Sequence, residues 1–402
     1  MTALLLQYCE NSIVKRHLMT TDLASDLVSW MQPRLETYIE ELRQLCAIEC
    51  PSSHKPGVDV AGAWVRAWAV TRGWTITDYP DKHVGDGLVA TVRGSGRLRA
   101  MLVAHLDTVY PVGVAAERPL RREGNRLIGP GSADNKSGLL SGLYAAAALA
   151  ELAPESFNTL SVVCGGDEET DARASEALLK AIAPSYDIAL VLEAGRENGD
   201  IVSARKGGGI FTLQMFGRAA HAGVEPEKGA SAVLAMAHQI IALHALNGMR
   251  PGVTVNVGVV GGGSVPNTVP DRASAQVDVR VIHHEDIAVV EAAIHAIAGD
   301  EQVPGTRTSV GGGWSFAPMA RTPEILRLAE VAKGCAQELG LTVSDVATGG
   351  MSYANLLAGL GLPVLDGLGP VGGNDHSPRE YIEIDSIVPR TAMLALIVAR
   401  AT

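Results

Sequence analysis

Several features that define other classes of protein are scarce in this 402-residue sequence. Its five cysteines are an odd number and include no CxxC pair, which favours a reduced compartment over a disulfide framework. No basic segment precedes the short apolar run at the amino terminus, so no secretory signal is legible. No apolar stretch approaches the roughly 18–20 residues of a membrane span. We therefore expect a cytoplasmic protein without a membrane partner.

Basic residues are too few and too scattered for a nucleic-acid-binding surface. The chain has 33 Lys and Arg against 44 Asp and Glu, a formal net charge of −11, and no dense basic block. Such a surface would repel a phosphate backbone. Hydrophobic residues make up 47% and charged residues 19%, which indicates a folded globular protein long enough for two cores.

Short apolar runs alternate with helical segments in the first half of the chain, which predicts an α/β fold. The predicted helices lie at residues 35–45, 60–71 and 137–152. The predicted strands lie at residues 88–92, 101–107, 160–169 and 188–195. Polar side chains that can bind ligands stand at the ends of these strands, namely His105, Glu168, Glu169 and Glu193. In α/β sheets, ligands gather beyond the carboxyl ends of the strands.

The pattern changes near residue 201. The next elements are a strand, a helix, two strands and a helix, at residues 209–217, 230–246, 253–263, 273–282 and 285–297. This β-α-β-β-α order resembles a split, ferredoxin-like unit. From about residue 318 the first pattern returns and ends in a helix that starts at Ser386. We predict a discontinuous α/β domain of residues 1–203 and 316–402, with an α+β domain inserted at residues 204–315.

Imidazole and carboxylate side chains recur where metal ligands would be needed. In HLDTV (105–109), Asp107 can hold the second ring nitrogen of a metal-binding His105. In DEET (167–170), Glu168 and Glu169 are adjacent, and adjacent side chains of an extended chain point to opposite sides. One can therefore bind metal while the other faces a water at that metal. Polar residues on an ordinary protein surface are the alternative explanation for HLDTV, and a solvated acidic loop is the alternative for DEET.

A glycine-rich segment and two strand-end or loop residues complete the candidate set. GPGSADNKSG (129–138) lacks the GK[ST] core of a P-loop, and a buried Asp134 there can bridge two cations. A plain turn or a phosphate-cradling loop is the alternative. Glu193 ends VLEAG, and His376 lies in GGNDHSPREY, where an ordinary loop histidine is the alternative. Together these imidazoles and carboxylates favour zinc over copper or an iron–sulfur centre.

The order and spacing of these motifs resemble the zinc metallopeptidase and aminoacylase family. That family includes bacterial glutamate carboxypeptidases, dipeptidases and N-acyl amino acid deacylases. The resemblance runs from about residue 35 to the C-terminus, on AHLDTVYP, GPGSADNKSGL, GGDEET, LEAGR, GRAAHAGVEPEKGASA, SVPNTVPDRASAQVDVRV and DGLGPVGGNDHSPREYI. It implies a mixed-sheet, dinuclear zinc exopeptidase-like catalytic domain with an inserted ferredoxin-like lid or dimerisation domain.

The resemblance also implies a role for each matching residue of the catalytic domain. Two Zn²⁺ ions, or Co²⁺ or Mn²⁺ in their place, would be held by five side chains. His105 and Glu193 would bind one ion, Glu169 and His376 the other, and Asp134 would bridge them. Asp107 would orient His105. Glu168 would be the general base, which takes a proton from the attacking water and passes it to the leaving amine.

Three residues of the inserted domain match residues that act on the substrate in this family. His221 would reach the active site of the partner subunit in a homodimer and stabilise the tetrahedral oxyanion. Asn267 and Arg280 would bind the free carboxylate of the substrate, for which the fork of an arginine is well suited.

Other positions depart from the glutamate carboxypeptidases. Ala194 follows the ligand Glu193 where those enzymes often have proline, and Tyr353 replaces an aspartate. The lysine that helps them read a glutamate side chain is missing at residues 200–202. Every predicted metal ligand is retained, so these departures bear on glutamate preference and leave catalysis intact.

We therefore expect a dizinc hydrolase that cleaves an amide bond next to a free carboxylate in a small peptide or N-acyl amino acid, as a carboxypeptidase does. An aminoacylase or a dipeptidase needs the same carboxylate contact, so the sequence leaves both open. A metal-containing binding protein without activity is a further hypothesis, which the intact Glu168 argues against. A nucleotide-binding enzyme would rest only on glycine-rich loops. No role is predicted for the first 30 or so residues.

Overall fold

The computed structural model describes residues 23–170 and 172–401. The amino-terminal segment that bears on a secretory signal, together with Cys9, lies outside these residues. No helix in the described part of the chain is long and apolar enough to cross a membrane.

The described chain divides into two compact units. The first comprises the residues up to Ser203, Arg321–Val346 and the residues from Leu360 onward. The second comprises Ala204–Ala320 and Ala347–Gly359. The later segment joins the second unit through hydrogen bonds such as that from the Asn355 side chain to the Ala317 carbonyl, at 2.8 Å.

A mixed six-stranded sheet forms the centre of the first unit. Its strands, in spatial order, are Thr75–Tyr79, Gly87–Arg93, Thr159–Gly165, Arg99–His105, Ile188–Val191 and Val364–Leu365. The last four are parallel, and the pairs that involve the first two are antiparallel. The central parallel strands are buried along almost their whole length, which fits their continuous apolar sequences. Their carboxyl ends therefore meet at one edge of the sheet.

Helices pack against this sheet. Ser137–Leu152 contacts two of the parallel strands and is buried almost throughout, as its alanine- and leucine-rich sequence allows. Leu35–Cys46 is amphipathic and buries one face that includes Tyr38 and Leu42. The other helices of this unit are residues 23–31, Lys55–Val70, Val114–Glu117, Arg173–Ile182, Pro323–Glu338 and Ile384–Arg400.

A second, smaller sheet in the first unit joins two loops. Its strands, in spatial order, are Gly372–Gly373, Tyr381–Glu383, Arg126–Ile128 and Arg121–Glu123. Ile382 lies opposite Leu127 in the antiparallel register. The segment that starts at Gly129 and carries Asp134 is thereby held next to the segment that carries His376.

The second unit is an α+β fold. Its main elements alternate as β-α-β-β-α-β, at Gly207–Phe216, Ala232–His244, Thr254–Gly262, Arg272–Val281, Asp286–Gly299 and Arg307–Phe316. The strands form an antiparallel sheet in the spatial order second, third, first, fourth, as in a ferredoxin-like fold. Alternate residues of the first strand, among them Phe211 and Leu213, are buried in its core. A short pairing of Ala220–His221 with Thr268–Val269 and the helix Tyr353–Gly359 also belong to this unit.

The mixed α/β fold predicted from the sequence is confirmed. The helix predicted at residues 60–71 starts earlier, at Lys55, because Pro56 is well tolerated in a first helical turn. The strands Thr75–Tyr79 and Arg121–Glu123 were not predicted, because they are short and mostly exposed and carry little apolar alternation. Two further strands are Ile201–Arg205 and Asp345–Thr348.

Candidate metal centre

Three adjacent parallel strands deliver the first candidate ligands. His105 is the last residue of its strand, Glu193 follows the strand that ends at Val191, and Glu169 follows the strand that ends at Gly165. The three strands are neighbours in the sheet. Since parallel neighbours end at the same edge, side chains that are far apart in sequence converge there.

Asp134 lies between two imidazoles. Its Oδ1 is 2.8 Å from His105 Nε2, and its Oδ2 is 3.0 Å from His376 Nε2. His105 Nε2 is 3.9 Å from Glu193 Oε1, and His376 Nε2 is 3.3 Å from Glu169 Oε2. The five side chains form two groups of three that share Asp134, and the ligand atoms within each group lie within 4.8 Å of one another. We refer to these five side chains as the ligand cluster.

The residues of the ligand cluster fit a pair of divalent metal ions. Among the described residues, Glu169 Oε1 is buried and has no hydrogen-bond partner. A buried carboxylate oxygen without a partner is costly, and a bound cation would satisfy it. Imidazole nitrogens and carboxylate oxygens are ligands that zinc accepts. The shared carboxylate offers one oxygen to each group, which is the geometry that a bridging ligand requires.

The carboxylates of the ligand cluster outnumber its imidazoles, and the titration of the cluster reflects this. Hydrogen bonds with Asp134 and Glu169 raise the pKa of His376 to about 11. Burial lowers the pKa of His105, but its hydrogen bonds with Asp107 and Asp134 outweigh burial and bring that pKa well above its usual value. Excess negative charge thus attracts protons to both imidazoles. A divalent cation would be drawn by the same charge and would compete for the same nitrogens.

Asp107 is fully buried and contacts two parts of the site. Its carboxylate Oδ1 lies 3.3 Å from His105 Nδ1, and its backbone carbonyl lies 3.0 Å from the same nitrogen. Its two oxygens also accept the amide N–H groups of Glu168, at 3.2 Å, and Glu169, at 3.1 Å. Ser52 donates its hydroxyl to Oδ2 at 2.6 Å. The contact with His105 follows from the HLDTV motif, whereas the contacts with the two amides were not predicted.

Glu168 lies beside the ligand cluster and belongs to neither group of three. Burial raises the pKa of its carboxyl well above the usual range, and the nearby carboxylates of Glu193 and Glu169 add to the shift. A buried carboxylate outside the ligand cluster that holds a proton readily is suited to general acid–base chemistry.

Two backbone features distinguish the segments that carry the ligand cluster. A Cβ on Gly138 would lie 1.8 Å from the Leu192 carbonyl oxygen, so only glycine lets the helix after Asp134 approach the strand end before Glu193. His376 has a φ of 60°, in the left-handed region that residues other than glycine seldom adopt. Such conformations concentrate at functional sites.

The three residues predicted to contact substrate belong to the second unit. His221 and Asn267 are neighbours there, since the Ala222 amide donates to the Asn267 carbonyl at 3.0 Å. Both side chains are exposed. Arg280 donates from Nε and Nη2 to the carboxylate of Asp278, with Nη2 at 2.8 Å from Oδ2.

A buried carboxylate that contacts the Asp134 segment was not predicted from the sequence. Glu380 is buried, and its carboxylate accepts hydrogen bonds from the amides of Gly131, Ala133 and Asp134. Burial raises the pKa of Glu380 to about 7. In the sequence it is one acidic residue in SPREY, four positions after His376, and nothing there distinguishes it from a solvated loop glutamate.

Comparison with known protein families assigns this chain to a class of hydrolases. Residues 101–400 match peptidase family M20/M25/M40. Because this match covers about three quarters of the chain, the protein belongs to that family and is a hydrolase of the metallopeptidase and amidohydrolase type. The family predicted from the sequence motifs is therefore confirmed.

Individual relatives span most of the chain. Carboxypeptidase G2 from Pseudomonas sp. (strain RS-16) is 28% identical over 365 residues, which cover 90% of this chain and 88% of that protein. N-acetyl-L-citrulline deacetylase from Xanthomonas campestris pv. campestris is 29% identical over 272 residues, 65% of this chain and 71% of that protein. The crystal structure of a tripeptidase from Staphylococcus aureus matches with a TM-score of 0.79 at 20% identity, over 91% of this chain and 99% of that one. The structural match bears on the fold alone.

Proposed function

We propose that this hydrolase binds two Zn²⁺ ions in the ligand cluster and cleaves an amide bond next to a free carboxylate, as a carboxypeptidase does. The observation that carries the proposal is the pair of three-residue groups that share Asp134. The similarity to carboxypeptidase G2 over 90% of the chain supports the carboxypeptidase type. Co²⁺ or Mn²⁺ suits the same nitrogen and oxygen donors.

The contacts of the surrounding residues support the roles that we propose for them. When bound, the metal pair polarises the substrate carbonyl and acidifies the attacking water. Asp107 holds His105 through Nδ1 and holds Glu168 through its backbone amide. Glu168 accepts a proton from the attacking water and returns it to the leaving amine.

We further propose that the second unit supplies the substrate contacts. Arg280 already binds the carboxylate of Asp278, which supports the proposal that its fork accepts the free carboxylate of a substrate together with Asn267. His221 donates a hydrogen bond to the oxyanion formed in the partner subunit's active site. The substrates are small peptides or N-acyl amino acids. The buried free cysteines Cys46, Cys50, Cys164 and Cys335 support a cytoplasmic location.

The same unit is proposed to form a homodimer. The strand Thr254–Gly262 stands at the edge of the described sheet, where Val259 and Val260 are 58% and 59% exposed. The helix Ala232–His244 exposes Leu234 and Ile241. An edge strand beside exposed aliphatic side chains is suited to pairing with a second copy of the chain.

Hydrolysis of N-acyl amino acids is the second candidate function. The similarity to N-acetyl-L-citrulline deacetylase supports it. So does the lack of a lysine at residues 200–202, where glutamate carboxypeptidases use one for the glutamate side chain. Both candidates need the same metals and carboxylate contact, and they differ in the group on the other side of the amide bond.

A hydrolysis screen of N-acyl amino acids, dipeptides and folate-like glutamates, with and without a chelator, tests the proposal and ranks the substrates. We expect chelation to abolish turnover and Zn²⁺ to restore it. Glu168→Gln should retain two metals per chain and lose turnover by about 10²–10⁴-fold, since the amide cannot move the proton. Glu176→Gln, in the next helix, is the matched control and should behave as wild type. Near-normal turnover in Glu168→Gln would show that the base is misassigned.

A further inference from the structure

Glu380 is a buried carboxylate that takes no part in the chemistry described above, and its exposed fraction is 1%. Its Oε1 accepts the amide N–H groups of Ala133, at 2.8 Å, and Asp134, at 2.9 Å. Its Oε2 accepts the amide of Gly131 at 3.0 Å. The backbone carbonyl of Glu380 accepts from the Gly129 amide at 3.2 Å. All these donors lie in one segment, which ends in the residue shared by both ligand groups.

Tyr110 connects this carboxylate to the segment that carries His376. The Tyr110 hydroxyl lies 2.5 Å from Glu380 Oε2 and 3.0 Å from the carbonyl oxygen of Ser377. The Glu380 amide also donates to the Ser377 carbonyl, at 3.2 Å. The Glu380 side chain is hydrogen-bonded to the backbone of one predicted ligand, Asp134. Since Ser377 directly follows His376, the Tyr110 hydroxyl, whose single proton faces both acceptors, lies between Glu380 and the backbone beside another predicted ligand, His376.

The contacts select a carboxylate at this position. A buried carboxylate is costly unless its oxygens accept hydrogen bonds. Both carboxylate oxygens of Glu380 accept hydrogen bonds, from three backbone amides and the Tyr110 hydroxyl. A glutamine of the same size has one acceptor oxygen and an NH₂ group, which would face N–H or O–H donors. These contacts offset part of the desolvation of Glu380, and all of them hold the two ligand-bearing segments.

We propose that Glu380 is a positioning residue for the metal centre, which holds the Asp134 and His376 segments so that Asp134 faces both imidazoles. The inference rests on the proposed function, because it gives Glu380 a role toward the proposed metals. Substitution of residues that hydrogen-bond to metal ligands and orient them commonly lowers metal affinity or activity by about 10–100-fold. Glu380 acts through Asp134 and His376 and touches no reacting atom.

The full-length Glu380→Gln protein tests this inference, with Co²⁺ as the probe. We expect Co²⁺ affinity to fall by about 10–100-fold in calorimetric titration. The visible absorption bands of the bound cobalt should shift, and kcat should fall while KM changes little. A merely structural role would lower only the melting temperature of the metal-free protein. Wild-type cobalt spectrum and affinity in Glu380→Gln would overturn the inference.

Two further variants complete the test. Tyr110→Phe removes only the hydroxyl between Glu380 and Ser377 and should weaken Co²⁺ binding by about 2–10-fold. If Glu380→Gln does not fold, wild-type affinity and spectrum in Tyr110→Phe overturn the inference. Glu383→Gln is the matched control, because its carboxylate lies 3.7 Å from Arg126 on the neighbouring strand; it should bind Co²⁺ as wild type does. A wild-type protein that binds no Co²⁺ would instead refute the metal centre itself.

Discussion

The ligand cluster of the first unit and the substrate-contacting residues proposed in the second unit are held in different ways. In the first unit, the Asp134 carboxylate lies between two imidazoles. The fully buried Asp107 carboxylate accepts hydrogen bonds from two backbone amides and a hydroxyl. In the second unit, the side chains of His221 and Asn267 are exposed. Arg280 makes its side-chain hydrogen bonds with Asp278, two residues away on the same strand.

This contrast separates two kinds of functional residue. Side chains of the ligand cluster are ordered by folding, so a change there should alter metal binding and turnover. The exposed side chains of His221 and Asn267 lose rotamer freedom when a ligand binds, at a cost of about 0.5–1.5 kcal/mol each. A change in the second unit should therefore alter the use of substrate and leave the metals in place. Three variants test this division, in order of expected effect.

Asp134→Asn should have the largest effect, because it replaces the negatively charged carboxylate that both ligand groups share with a neutral amide. Metal ions supply several kcal/mol of transition-state stabilisation, which corresponds to about a thousandfold or more in kcat/KM. We expect that loss, with fewer than two metals per chain by elemental analysis. Asp187→Asn is the control, since Asp187 pairs with Arg99 at the amino end of the same sheet. Two tightly bound metals and normal turnover in Asp134→Asn would refute the proposal that the ligand cluster controls metal binding.

Much of the ligand cluster could be predicted from the sequence, because the end of a strand fixes where a side chain lies. His105, Glu169 and Glu193 each follow a buried apolar run, and parallel strands bring such ends together. Asp134 and His376 lie on loops without a periodic pattern. They were predicted from the order of motifs that resembles a known family, and the geometry now shows Asp134 between the two imidazoles.

The hydrogen bonds that hold the ligand-bearing segments could not be predicted from the sequence. Glu380 is brought to the Asp134 segment by pairing between Arg126–Ile128 and Tyr381–Glu383, and strands of three residues carry no usable alternation. The amide contacts of Asp107 depend on how the DEET segment turns after its strand. Such hydrogen bonds join residues that are 61 to 249 positions apart, so they follow from the assembled fold.

Arg280→Ala should have an intermediate effect that is confined to substrate. The ion pair of Arg280 with Asp278 is partly exposed, at 26% and 37% of the side chains, and such pairs are weak, so a substrate carboxylate can replace Asp278. Loss of a charged hydrogen bond should lower kcat/KM by about 10–100-fold on substrates with a free carboxylate. Metal content should be unchanged. Arg272→Ala, on the same strand and stacked on Phe216, is the control. Equal loss on carboxylate-free amides would refute the contact.

Val260→Lys should have the smallest effect on the folded chain itself and should weaken the association of two chains into a dimer. A charged lysine on an edge strand opposes pairing with another chain, so we expect the dimer dissociation constant from sedimentation to rise about tenfold or more. The free energy of unfolding should change by less than about 0.5 kcal/mol, because Val260 is 59% exposed. Val70→Lys, at a valine 56% exposed in the first unit, is the matched control. If His221 serves the partner subunit's site, Val260→Lys also lowers turnover with both metals retained, whereas an unchanged dimer would refute edge pairing.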